Sequence, residues 1–469
     1  MKVMKFGGGC LTNGDDIEKV VGIIGPDAGR VVVVVSALSG ITNRLHDGLQ
    51  RAMGSETSVF PFLGEIQECH TRLLGAVVPD AEIRRSASAG LMDRLRKLER
   101  FLHGVAFTQE ISPSVRAQVM SFGERFSALL LAAALESRGR RAEALEADRI
   151  GIVTDESYDN ATAHLSKAGA NLQHHLLPLL KRGSIPVVTG YFGRTEEGRV
   201  TTFGRNGSDY SAAVIARAMG AELLEIWKDV DGFMTADPKV VAGALVVERL
   251  SYDEAAELSY FGAKILHPRT VEPLIGSPIP IIINNIHRAE GRGTEVVPEL
   301  AAPDNTVKSI TSNRQVAVVR IFGPGVGFKP GIIAEIGRLL AERGINIFSI
   351  LTSQTCINLI VDKADARAAQ AALIRLVDGI IEKVELRERV ALVAVVGDGL
   401  MRKHGTTARV LSVVAKENIM VQMLAAGASE TAQYFLVPEE DTERAVRAVH
   451  GEFFGPGGSD MPDRKEDSL

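Results

Sequence analysis

Residues Val31–Val35, VVVVV, run directly into Ser36-Ala-Leu-Ser-Gly-Ile-Thr42. Five successive β-branched residues put apolar side chains on both faces of a strand, and strands buried on both faces belong to parallel sheets covered by helices. Val3–Phe6, Ile185–Thr189, Leu223–Trp227 and Ile279–Ile283 have the same continuous apolar character, with helical patterns between them. The fold class is therefore α/β with a mainly parallel sheet. Residues 51–115 show helical spacing without a convincing strand. They read as a helical excursion from the sheet that ends in a long apolar-faced helix near Gln118–Ser137.

At 469 residues the chain is too long for one ordinary domain. Its net charge of −5 speaks against a nucleic-acid partner, which needs concentrated Lys and Arg. Cys10, Cys69 and Cys356 lie far apart, without disulfide or metal-site spacing, as suits a reducing compartment. Met1–Phe6 reads as a strand and not as a leader, and Val31–Val35 and Ala128–Leu135 are too short to cross a bilayer. A cytoplasmic protein without a membrane partner is expected.

Pro298, Pro303, Asp304 and Asn305 mark a linker near residues 297–312. Beyond it the chain repeats itself. Ala334–Ile347 aligns without gaps on Ala408–Val421, each a helix entering a strand, and the strands Val316–Phe322 and Val390–Val396 precede them. Gly344 and Asn418 fall where a left-handed C-cap is wanted. The expected organisation is a catalytic domain over 1–298, two repeat domains over 312–385 and 388–454, and a disordered polar tail over 455–469.

Five segments bear chemistry. Lys5-Phe-Gly7-Gly8-Gly9 ends the first strand in a glycine turn that would let backbone N–H groups approach phosphate, although such an ending is commonly only a turn. Thr202–Asp209 enters a helix, with Ser208 or Asp209 as cap and Arg205 as a fork for an anion, or merely as a surface arginine. Ser121–Ser127 carries Glu124 beside Arg125, by itself an ordinary ion pair. Trp227–Pro238 is a strand entering an acidic loop with Lys228, Asp229 and Asp237. Tyr260–Arg269 includes Lys264, which could reach phosphates, and His267, which reads as structural because it lacks a metal or nucleophile partner.

Together with Ser36–Thr42 these segments resemble the aspartate kinase branch of the amino-acid kinase family. Its KFGG, SAxxGxT, GER, GRGGSD, WTDVDG with TADP, and FGAKxLHP forms appear here in order as Lys5–Gly8, Ser36–Thr42, Gly123–Arg125, Gly204–Asp209, Trp227–Gly232 with Thr235–Pro238, and Phe261–Pro268. The resemblance implies a three-layer αβα kinase domain followed by two ferredoxin-like (βαββαβ) ACT domains. It also implies transfer of the ATP γ-phosphoryl group to the β-carboxylate of L-aspartate, the first step towards lysine, threonine and methionine. By the same resemblance Lys5 and Asp209 are catalytic, and Ser36, Thr42, Glu124, Arg205 and Ser208 bind aspartate. ATP is held by Lys5, Gly7, Gly8, Gly9, Lys228, Asp229, Asp237 and Lys264. Mg2+ comes with ATP, with no metal ligand from the protein.

The ACT pair implies a homodimer or higher homo-oligomer and an amino-acid effector bound near Gly331, Ile332, Asn346 and Ser349. Lysine-sensitive relatives commonly carry an acid near the position of apolar Phe348, which argues against lysine and leaves threonine or no effector open. Three departures stand out: Gly9-Cys10 for Thr-Ser, Asn206 for the first glycine after the arginine, and Lys228 for threonine. None removes a residue with a charge role. The rival readings are a kinase for another amino acid and a non-catalytic amino-acid sensor.

Overall fold

The computed structural model describes residues 1–27, 29–263, 265–291, 293–300, 306–377, 381–400 and 402–455. Their contacts form two units. One contains Met1–Phe233, Val246–Ala256 and Ile265–Leu300; the other contains Met234–Leu245, Glu257–Lys264 and Ala301–Leu469. Two short segments of the expected catalytic domain thus group with the C-terminal repeats.

In the first unit the strands are β1 (Lys2–Phe6), β2 (Val31–Val35), β3 (Ala142–Leu145), β4 (Ile185–Thr189), β5 (Phe192–Arg194), β6 (Val200–Thr202), β7 (Leu223–Lys228), β8 (Arg249–Ser251), β9 (Ile281–Asn285) and β10 (Thr294–Val297). Strands β5 and β6 make a ribbon, and the others form one eight-stranded sheet in the order β3-β4-β2-β1-β7-β9-β10-β8. Among the described residues of that sheet only β9 and β10 pair antiparallel, as β5 and β6 do in the ribbon. All five valines of β2 are fully buried, as their uninterrupted run requires. Strand β9 starts two residues later than the apolar run suggests, because Pro278 and Pro280 have no N–H to give a ladder.

The helices of this unit begin with α1 (Gly14–Ile24), α2 (Ile41–Gly54), α3 (Val59–Val77), α4 (Ala81–Thr108), α5 (Pro113–Met120) and α6 (Phe122–Glu136), followed by α7 (Leu165–Lys181) and α8 (Gly207–Met219). The helical excursion is real. Its last long helix is divided at Ser121, whose hydroxyl donates back to the Gln118 carbonyl (2.7 Å), a local bond that competes with the helix ladder. Helix α6 is buried almost throughout, in one apolar core with β1, β2 and α1–α4. Full burial of each Val or Leu there contributes about 1.5–3 kcal/mol.

After α9 (Tyr252–Tyr260), the second unit continues with β11 (Ser309–Asn313), β12 (Val316–Phe322), α10 (Ile332–Ala341), β13 (Ile347–Thr352), β14 (Cys356–Asp362), α11 (Ala366–Leu373) and β15 (Lys383–Arg387). The second repeat comprises β16 (Val390–Val396), α12 (Thr406–Lys416), β17 (Met423–Ala425), β18 (Ala432–Pro438) and α13 (Thr442–Phe454). Two four-stranded antiparallel sheets result, β13-β14-β12-β15 and β11-β16-β18-β17. The second sheet takes its β11 from residues that precede the first repeat. Repeat symmetry extends to the caps. Gly331 (φ 91°) and Gly405 (φ 83°) open α10 and α12 in left-handed conformation, and Gly344 (φ 67°) and Asn418 (φ 56°) follow them.

Candidate active site

Lys5 is the penultimate residue of β1 and Lys228 the last of β7, neighbours in the sheet. In their parallel register Lys5 lies opposite Ile226, so Lys228, two residues further on, shares its face. Asp209, in the first turn of α8, meets both. Lys5 Nζ lies 2.5 Å from Asp209 Oδ1, and Lys228 Nζ lies 3.1 Å from Oδ2. Burial alone would raise the Asp209 carboxyl, but Lys228 and Lys5 outweigh it and hold it at about 2. The lysine that replaces threonine in the Trp227–Gly232 segment therefore serves Asp209 directly.

The loop before α8 needs unusual backbone. Gly204 (φ 74°) and Asn206 (φ 55°) are both left-handed and flank the exposed Arg205. Asn206 thus tolerates the conformation that the glycine form of the motif supplies. Ser208 is buried against Gly190, where an added Cβ would lie 2.7 Å from the Ser208 Cβ. Arg269 braces this loop: it donates to the carbonyls of Phe203 (3.1 Å) and Ala161 (2.8 Å), and its guanidinium lies 4.8 Å from the Tyr210 ring centre. His267 Nδ1 accepts the Arg269 N–H (3.3 Å), and burial followed by Arg269 lowers its pKa, which suits a structural imidazole.

Glu124 projects from the first turn of α6. One carboxylate oxygen accepts the Ala37 N–H (3.0 Å), while Oε2 is buried with no hydrogen-bond partner among the described residues. Burial pushes this carboxyl up to about 8 despite the Ala37 N–H and the nearby Lys5 and Arg125. Ser36 and Thr42 are half-buried on either side of Gly40 (φ 79°), which opens α2.

Gly7, Gly8 and Gly9 make a close turn: the Gly7 N–H donates to the Trp227 carbonyl (3.1 Å), and an added Cβ on Gly9 would lie 2.9 Å from the Asp229 carboxyl group. Cys10 donates its thiol to the Trp227 carbonyl (3.1 Å), and burial pushes that thiol up to about 12, so it is a buried structural group. Asp229 is exposed in the first unit, whereas Asp237 belongs to the second. Lys264 lies outside the described residues.

Tyr191 was not singled out from sequence. It holds φ 73° between β4 and β5, its carbonyl accepts the Phe203 N–H (2.9 Å), and an added Cβ on Gly207 would lie 3.0 Å from its ring. Burial, then Glu124, pushes its phenol up to about 12. A bulky residue at positive φ is the strain expected near a functional centre, and only the preceding Gly190 hints at it in the sequence.

In the second unit Gly331 and Ile332 start α10, Asn346 is exposed just before β13, and Ser349 Oγ accepts the hydroxyl of Tyr434. Tyr434 packs on Phe261 (5.0 Å between ring centres), and the Tyr260 hydroxyl donates to the Phe348 carbonyl (2.9 Å). Thr235 and His450 Nε2 are hydrogen-bonded at 3.0 Å. Among the described residues no helix is long and apolar enough to cross a membrane.

The amino acid kinase family profile matches residues 1–285, and two ACT domain profiles match 311–375 and 393–453. The chain is 31% identical to the Arabidopsis thaliana chloroplastic bifunctional aspartokinase/homoserine dehydrogenase 1, with 96% of this chain and 51% of that protein aligned. It thus spans about half of that bifunctional relative. It is 30% identical to Arabidopsis thaliana chloroplastic aspartokinase 1, covering 97% of this chain and 80% of that one. The structure of E. coli aspartokinase III with aspartate and ADP superposes with a TM-score of 0.82 at 30% identity, over 97% of this chain and 100% of that one. Its complex with lysine and aspartate gives a TM-score of 0.80 at 30% identity over 97% and 99%. The chain belongs to the amino acid kinase family and, within it, to the aspartokinases with paired ACT domains.

Proposed function

We propose that the chain is an ATP-dependent aspartate kinase making 4-phospho-L-aspartate. The observation that carries this reading is Asp209, ionised in a buried position between Lys5 and Lys228. Phosphoryl transfer to a carboxylate needs no general base, because the acceptor has an ordinary pKa of about 3.9. The barrier is the mutual repulsion of two anions. Preorganised cations offset it, and Asp209 holds two of them in place without cancelling both.

Arg205 would clamp the α-carboxylate of aspartate. Glu124 would take its α-ammonium on the unpartnered Oε2, with Ser36, Thr42 and Ser208 around the rest, so that only the β-carboxylate faces phosphorus. Gly7, Gly8, Gly9 and Asp229 would border the nucleotide. Among the described residues no group of three or more His, Cys, Asp or Glu side chains is set to hold a metal ion. Mg2+ would come with ATP on its phosphates, where it would neutralise charge.

The ACT pair would serve as dimer contact and amino-acid sensor, with Gly331, Ile332, Asn346 and Ser349 as effector contacts, and the enzyme would act in the cytoplasm. The E. coli relative binds lysine; here apolar Phe348 argues against lysine and leaves threonine or no effector open. Hydroxylamine trapping of the acyl phosphate with aspartate, glutamate and acetylglutamate tests the substrate. Hydroxamate with aspartate alone is expected. Product only with another acid would reassign the substrate, and none with any acid would leave a sensor.

A further inference from the structure

Away from the Asp209 centre, α4, α6 and the turn after β3 enclose a cavity of about 530 Å3. Its charge is out of balance. Arg94, Lys97, Arg100, Arg125 and Arg149 line it against only Glu146 and Asp148. Both carboxylates are already engaged. Glu146 meets Arg94 at 3.0 Å, Arg149 at 3.0 Å and also Arg125, whose other nitrogen meets Asp148 at 2.9 Å. Among the described residues Lys97 and Arg100 form no ion pair, and Arg94 Nε is buried without a hydrogen-bond partner.

Lys97 and Arg100 continue from Arg94 at three-residue steps along α4, so all three present cations on one helix face. A recess with an excess of one sign of charge beside apolar walls focuses its field and concentrates counter-ions. Arg125 is committed to Ser121, Glu146 and Asp148, so the Arg94 guanidinium and the two unpaired cations are what the cavity offers an oxyanion. Phe101 and Phe122, with ring centres 6.4 Å apart, supply an apolar wall.

We propose that this cavity is a second ligand site on the kinase unit, distinct from the catalytic one, for a small anion bearing at least two phosphate or carboxylate groups. One such group would lie between Lys97 and Arg100 and the other at the Arg94 guanidinium. Arg125 follows Glu124 on α6, so an occupant lies one residue away from the proposed amino-acid site.

The test is calorimetric titration of inorganic pyrophosphate and of citrate into the full chain saturated with ADP and aspartate, which close the catalytic site to them. A parallel titration without ADP and aspartate keeps the result independent of the function proposed above. Saturable one-to-one binding of at least one probe is expected. It should weaken by about tenfold or more in Lys97→Glu with Arg100→Glu, while turnover without the anion stays within about twofold. Both residues are exposed, so the fold should survive; the neutral pair Lys97→Gln with Arg100→Gln should weaken binding less. Absence of saturable binding by either probe, or unchanged affinity in both double variants, would overturn the proposal.

Discussion

Asp209 Oδ1 lies 2.5 Å from Lys5 Nζ although the two residues are 204 positions apart, and both side chains are nearly inaccessible to water. An ion pair so deeply buried is costly to break from one side, by about 3–5 kcal/mol. Its pH dependence follows from the sign of the shift. The folded carboxyl is held at about 2, below its ordinary 3.8, so its stabilisation is complete above the ordinary value and is lost as pH falls towards 2. Asp209→Asn should therefore be less stable than wild type near neutrality, and the gap should narrow by about 1 kcal/mol between about pH 6 and about pH 3. Denaturant unfolding at both pH values checks this. A gap independent of pH would mean that the folded Asp209 carboxyl is not held below its ordinary value.

Glu124 shifts the other way. Its folded, unliganded carboxyl sits at about 8, so stability is fullest below the ordinary carboxylate range and declines as pH rises towards 8. An arriving ammonium restores the carboxylate and drives off the proton. The KM for aspartate should fall as pH rises from about 6 to about 8, by at most about tenfold per unit, and Glu124→Gln should remove that slope. A slope that persists in the variant would separate Glu124 from ammonium binding.

Asn206 tests the tolerance of the loop. Gly at this left-handed position should preserve kcat within about threefold, whereas Val should cost about 1–3 kcal/mol of stability and most of the activity. Thermal unfolding and steady-state rates decide it; a Val variant equal to wild type would show that the loop does not depend on positive φ.

The hydroxyl of Ser349 is taken by Tyr434. Ser349→Ala should leave kcat unchanged, cost about 1 kcal/mol of stability, and shift inhibition by any effective amino acid among lysine, threonine and methionine. Dose–response curves for the three measure it, and an unchanged curve for an effective amino acid would remove Ser349 from the effector set.

Much of this was legible from residues. Uninterrupted apolar runs identified the buried strands, and the spacing of Gly344 and Asn418 exposed the repeat. Contacts set by sheet register were not legible. That Lys228 shares Asp209 with Lys5 depends on β1 lying beside β7, which local pattern does not encode. The joining of β11 to β16 was hidden likewise, because an antiparallel strand carries no mark of which repeat it completes. Tyr191 escaped because positive φ in a large residue is imposed by its surroundings.

The most direct test of the centre is single-turnover formation of aspartyl hydroxamate at saturating ATP and aspartate, comparing wild type with Lys5→Met, which keeps an unbranched side chain in the buried slot. With folding verified by circular dichroism, the variant is expected to be slower by about a hundredfold or more. A rate within about threefold of wild type would contradict a phosphoryl-transfer role for the Lys5–Asp209–Lys228 cluster.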